Sequence, residues 1–224
     1  MKLRARQLVP LAVAVVSGGL LTACEAPLNG TFDVTAGACS SGGVTSGSYF
    51  RMIQAGGSAS SGPFLQNPSS PCGDKTYTPL SAGTQGGLKT GTQQPQPSPA
   101  FDSSGNSLAK AILKPVDFFG VKFGESTNST DPQTGTSVAA PSIDNNGGVL
   151  SGDLRAFNVG WNNQNFNQGS PKPNGTKPGL TSGPSGLYDS STGVYGFEWT
   201  SQIVGGPFNG FTGEWYLTGK YKSS

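Results

Sequence analysis

The run Tyr195-Gly196-Phe197-Glu198-Trp199-Thr200-Ser201-Gln202-Ile203 alternates with period two. Its odd positions are aromatic, small or aliphatic, and its even positions are Gly, Glu, Thr and Gln. Successive strand residues point to opposite faces of a sheet, so alternation of this length specifies a strand with one buried face and one wet face. A second run, Glu214 to Tyr221, puts Trp215, Leu217 and Tyr221 on one face with Glu214, Thr218 and Lys220 opposite. The connection Gly205-Gly206-Pro207-Phe208-Asn209-Gly210 is too rich in breakers to be helical. The two strands are therefore expected to be antiparallel neighbours, with Trp199 and Trp215 packed in one core with Phe197, Leu217 and Tyr221.

The same grammar recurs upstream. Residues 101–108, 143–150 and 188–195 each place Asp or Asn close to Gly between apolar residues, a hairpin signal. Further strands are expected near residues 31–35, 47–53, 108–113, 116–123 and 149–161, and the Gly-, Pro- and Ser-rich stretches 84–100 and 168–184 read as surface loops. The chain of 224 residues holds 35 Gly and 17 Pro, with 33% hydrophobic and 12% charged residues. Few charges argue against a disordered polyelectrolyte, and the abundance of turn formers argues against helices. The expected fold is all-β: a single antiparallel β-sandwich or closed barrel with long Gly/Pro-rich loops.

The N-terminus carries a different signal. Lys2, Arg4 and Arg6 precede a run from Leu8 to Leu21 that has no charge. A positive head followed by a short apolar stretch makes a secretory signal peptide, and this stretch is too short to span a bilayer as a stable helix. It ends in Leu21-Thr22-Ala23-Cys24, which resembles the lipobox of bacterial lipoproteins. That resemblance implies a diacylglyceryl thioether on the Cys24 sulfur and cleavage before Cys24. The organisation expected from it is a signal peptide over 1–23, a lipidated N-terminus and short tether over 24–30, and one extracytoplasmic domain over 31–224, at the outer face of a bacterial cell membrane. The closing segment WTSQIVGGPFNGFTGEWYLTG resembles the C-termini of uncharacterised secreted bacterial β proteins, a likeness that implies export and a β fold but no activity.

Cysteine arithmetic agrees. Three cysteines leave one unpaired in an exported protein. With Cys24 lipidated, Cys39 and Cys72 remain to form a disulfide, worth about 3 to 4 kcal/mol by the loop-entropy estimate. Removal of the signal peptide also removes three of the 14 basic residues, leaving 11 against 12 acidic ones, a formal net charge of −1. No basic footprint for nucleic acid remains.

Catalytic chemistry has few carriers. There is no histidine, which removes the usual general base, the common nucleophile triads and most zinc sites. Asp102, Asp144 and Asp189 sit among Ser and Asn in turns, but single carboxylates beside Gly are what a hairpin requires, so no metal and no cofactor is expected. Glu198 and Glu214, on adjacent strands, are the one carboxylate pair that suggests a hydrolase; both fall on the polar face. Binding chemistry is better represented. In Trp161-Asn-Asn-Gln-Asn-Phe166, two aromatics flank uncharged amides, groups that stack on a sugar ring and hydrogen-bond its hydroxyls. Trp161, Asn163 and Phe166 are the candidate glycan contacts. The expected function is a non-catalytic envelope-binding or structural role for a membrane-anchored lipoprotein, with a glycan-binding module as the alternative and a carboxylate-dependent hydrolase third. Its expected partners are the membrane, through the lipid, and an envelope polysaccharide or protein.

Overall fold

The computed structural model describes residues 26–40 and 43–224, and among these it is all-β, without a helix. The spine of the larger sheet is the set Ser182–Asp189, Val194–Gln202 and Thr212–Ser223. Trp199 lies opposite Trp215 and Phe197 opposite Leu217. The C-terminal strand is the hub: its other edge takes Tyr49–Ser58 along its first half and Gly30–Val34 along its second. Val149–Asp153, Ser142–Asn146 and Ala26–Pro27 extend the sheet on one side and Gly87–Lys89 on the other, while Gly62–Phe64 and Tyr77–Pro79 add to Tyr49–Ser58. All these pairings are antiparallel.

A second sheet of four antiparallel strands has the order Gln164–Asn167, Phe157–Trp161, Val121–Thr127, Val116–Phe118. Neither sheet closes on itself, so the fold is a sandwich rather than a barrel. Aromatic rings join the layers. Phe157 meets Trp199 and Trp215 edge-on at 5.2 and 5.3 Å, and Phe123 meets Phe50 and Trp215 at 5.5 and 6.1 Å. One hydrophobic cluster runs through both sheets. Tyr221, at its rim, is half-buried.

Five local expectations change. Residues 108–113 form no regular strand; Leu113 bridges to Ala82 and the carbonyls of residues 110–112 accept from the amides of residues 83–85, and the same segment covers the outer face of the small sheet, where the Ala109 carbonyl leaves no room for a side chain at Gly124. The strand expected over 116–123 breaks at Phe119-Gly120, and that over 149–161 breaks between Asp153 and Phe157. The expected tether is partly sheet, because Ala26 and Pro27 pair with Asn145 and Asp144. The loop 84–100 contributes the strand Gly87–Lys89. Cys39 and Cys72 are joined, with Cα atoms 5.1 Å apart. Cys24 and the segment 1–23 expected to be a signal peptide lie outside the described residues.

Candidate ligand-binding site

Three connections meet at the end of the sandwich where the C-terminal strand begins. The first is the turn Phe119-Gly120, with Phe119 at φ 54°. Left-handed backbone is unfavourable for a bulky residue, because its Cβ crowds the carbonyl oxygen. Asn67, fully buried, holds it there: its Oδ1 accepts from the Phe119 amide at 3.2 Å and its Nδ2 donates to the Asp117 carbonyl at 2.9 Å. The Phe119 ring is left 40% exposed, against Phe118 and Phe208.

The second connection is the turn Asn162-Asn163, with φ 49° and 57°. These values at both central residues match the two-residue hairpin turn whose twist suits flanking strands, and Asn tolerates them better than most residues. The amides of Asn162, Asn163 and Gln164 are exposed. Trp161, just before the turn, is half-buried, and its indole Nε1 donates to the Phe118 carbonyl at 2.9 Å. That bond ties the second turn to the first. The third connection, Val204 to Gly210, brings Phe208 over both, 5.4 Å from Trp161 and 5.7 Å from Phe118. Gln133 donates to the Val204 carbonyl and steadies this loop.

Beneath the three lies an apolar cavity of about 40 Å³ whose walls include Phe118, Phe123, Trp161, Phe166, Phe208 and Trp215. Of the residues singled out in the sequence, Trp161 and Phe166 line the cavity, Phe166 only 7% exposed, while Asn163 is exposed in the turn after Trp161 with its amide nitrogen beside Gly105. Trp161 and Phe166 therefore form no flat platform together. Phe119 and Phe208 complete the mouth and were not expected; the only sequence signal for Phe119 is the glycine after it, in a stretch that otherwise reads as continuous strand.

The carboxylates are disposed differently. Glu198 and Glu214 lie on one face but in diagonal register, Glu198 opposite Tyr216 and Glu214 opposite Arg51. Glu214 is buried and grips the Arg51 guanidinium through both oxygens, at 2.7 and 2.9 Å. Burial pushes its carboxyl up, with Arg51 opposing. Beside it the Tyr49 hydroxyl is raised to about 12, first by burial and then by the Glu214 charge. Glu214 is thus committed to structure. Lys172 is buried as well, and burial lowers it to about 8 against the pull of Asp131. Its Nζ donates to the Ser201 hydroxyl at 2.6 Å, but Ser201 is itself fully buried and gives its hydrogen to the Gly169 carbonyl at 2.7 Å. This lysine-serine contact has no path to a substrate.

The turn aspartates spend their oxygens locally. Asp102 accepts from Ser104 and Asn106, and Asp189 from Ser191 and Thr192, which holds Asp189 down at about 2. Among the described residues no group of three or more His, Cys, Asp or Glu is gathered where it could hold a metal ion. No protein-family model, curated protein or solved structure matches the chain.

Proposed function

We propose that this protein is a non-catalytic binding module, anchored to the outer face of a bacterial membrane by lipid on Cys24, and that the aromatic mouth takes a glycan. The observation that carries the binding reading is the way two left-handed turns and the Trp161 hydrogen bond hold aromatic rings and exposed amides around one opening. A sugar ring needs an aromatic surface on one side and donors and acceptors at its edge. The mouth offers Trp161 and Phe119 for the first, and Asn162, Asn163 and Gln164 for the second. Structural strain at a non-glycine residue is characteristic of functional sites, and Phe119 is such a residue.

Two substitutions test binding while sparing the fold. Asn163→Gly keeps the turn, because glycine adopts positive φ freely, and removes one amide. Phe119→Gly removes the ring and relieves the backbone, so the lost contacts and the lost strain offset each other to within about 1 kcal/mol. In titrations of the chain from Glu25 onward against envelope polysaccharide fragments, Asn163→Gly weakens binding by up to about tenfold, the worth of one hydrogen bond. Phe119→Gly weakens it at least as much, while denaturation midpoints of both stay near wild type. Unchanged affinity in both variants would remove the mouth as the binding site. Anchoring has its own test: Cys24→Ser releases the protein from the membrane fraction, or leaves it unprocessed. A serine variant still labelled by fatty acid places the anchor elsewhere.

A further inference from the structure

Ala26 is paired into the large sheet, opposite Asn145. An extended chain advances at most about 3.5 Å per residue, so the Cα of Cys24 lies within about 7 Å of that of Ala26. The register leads from there across the sheet. Asn146 faces Val149, Val149 faces Leu187, Leu187 faces Gly196, and Val194, two residues before Gly196, faces Lys220. Residues opposite each other in a ladder share a face, as do residues two apart on one strand. Val149, Leu187 and Val194 are therefore neighbours on the outer face, and they are 55%, 69% and 44% exposed. Contiguous exposed aliphatic side chains are the kind of surface through which proteins contact membranes or partners.

We propose that this row rests in the headgroup layer of the same bilayer that holds the acyl chains of Cys24, an inference that depends on the lipidation proposed above. The short reach from Cys24 to Ala26 leaves no length of chain to lift this end of the sheet away. Lys220 and Lys222 are exposed at the rim, where they face lipid phosphates; Lys222 also pairs with Asp33, and Asp189 stands opposite Val194. An open cleft of about 480 Å³ beside Leu187, Val194 and Tyr216 adjoins this surface, with the carboxylates of Asp189 and Glu198 in its lining. The aromatic mouth is at the other end. Between Lys220 and Thr212 the C-terminal strand advances roughly 27 Å, at about 3.4 Å per residue, so the mouth lies well outside the row.

The test uses the full chain, exported and processed in a bacterium, purified with its lipid and placed in phosphatidylethanolamine–phosphatidylglycerol vesicles that contain a headgroup-linked quencher. With Cys39 and Cys72 bonded and Cys24 alkylated, a single introduced cysteine is the one thiol open to a fluorophore. Labels at Leu187→Cys and Val149→Cys are quenched several-fold more than a label at Asn163→Cys. Equal quenching at all three positions, with the lipid on the N-terminal peptide confirmed by mass, overturns the docking surface and leaves the anchor standing. An N-terminal peptide without lipid overturns the anchor and the docking surface together.

Discussion

Trp199→Ala and Trp215→Ala each lower the stability of the domain by about 3 to 5 kcal/mol, the range for truncating a buried aromatic residue. Both indoles are essentially inaccessible, at 0% and 1% exposed. They stack across the ladder with centroids 5.8 Å apart and planes within 10°, and Phe157 of the facing sheet meets both edge-on. Each also satisfies Gln168, a buried residue between the sheets: Trp199 donates to its carbonyl at 2.9 Å and Trp215 to its side-chain oxygen at 3.3 Å. Truncation therefore opens a cavity and leaves a buried acceptor unpaired, two costs that add. A loss of this size is a large part of what holds a single domain folded. The measurement is chemical denaturation of the chain from Glu25 onward. A loss below 1 kcal/mol for either variant would contradict the inter-sheet packing on which this account rests. Trp215→Phe, which keeps most of the ring, costs less than the alanine variant.

These tryptophans were legible because alternation is a local property that survives in the sequence, and the strands that carry them also carry the hydrophobic periodicity of the whole fold. The choice between sandwich and barrel was not, because closure depends on which edges meet, and a strand's own pattern is the same in either. Trp161 and Phe166 show a different limit. They stand close together among amides, which invites a platform, but the turn Asn162-Asn163 places Trp161 opposite Gln164 and Phe166 opposite Val159. That turn holds no glycine, and the run of amides from Asn162 to Asn165 does not show at which pair the chain reverses. Residues 108–113 do not form a regular ladder: they accept irregular backbone hydrogen bonds from residues 83–85, and their apolar residues are buried by covering a sheet, not by joining one. From Phe123 onward the strand is buried on both faces, by this cover outside and the large sheet inside, and its alternation carries an acidic side chain into the core.

That side chain is Glu125. It points to the inner face between Phe123 and Thr127, opposite Val159 on the neighbouring strand. It is fully buried, and neither carboxyl oxygen has a hydrogen-bond partner in the structure. Burial pushes its carboxyl well above the usual range, with only its own main-chain amide acting the other way. The folded state therefore holds a proton that the unfolded chain gives up above about pH 4.3. Because the native state then binds more protons than the unfolded one, stability falls as pH rises. The contribution is fully present below the unfolded value and is lost as pH climbs toward the folded one. Glu125→Gln has nearly the same shape and no charge to form, so its advantage over wild type widens steadily from pH 5 to pH 8. One unit of difference between the folded and unfolded values is worth about 1.4 kcal/mol, so by pH 8 the advantage exceeds about 1 kcal/mol. Taking the difference between the two proteins cancels the other shifted groups, including Lys172, whose lowered value has the opposite sign of pH dependence, and Asp189. Glu125→Met, which has no polar atom left to satisfy, is more stable than wild type throughout the range. Parallel stability curves for wild type and Glu125→Gln from pH 5 to pH 8 would mean that the carboxyl is solvated or paired in solution, and that the interior of this sandwich is open to water beside Val159.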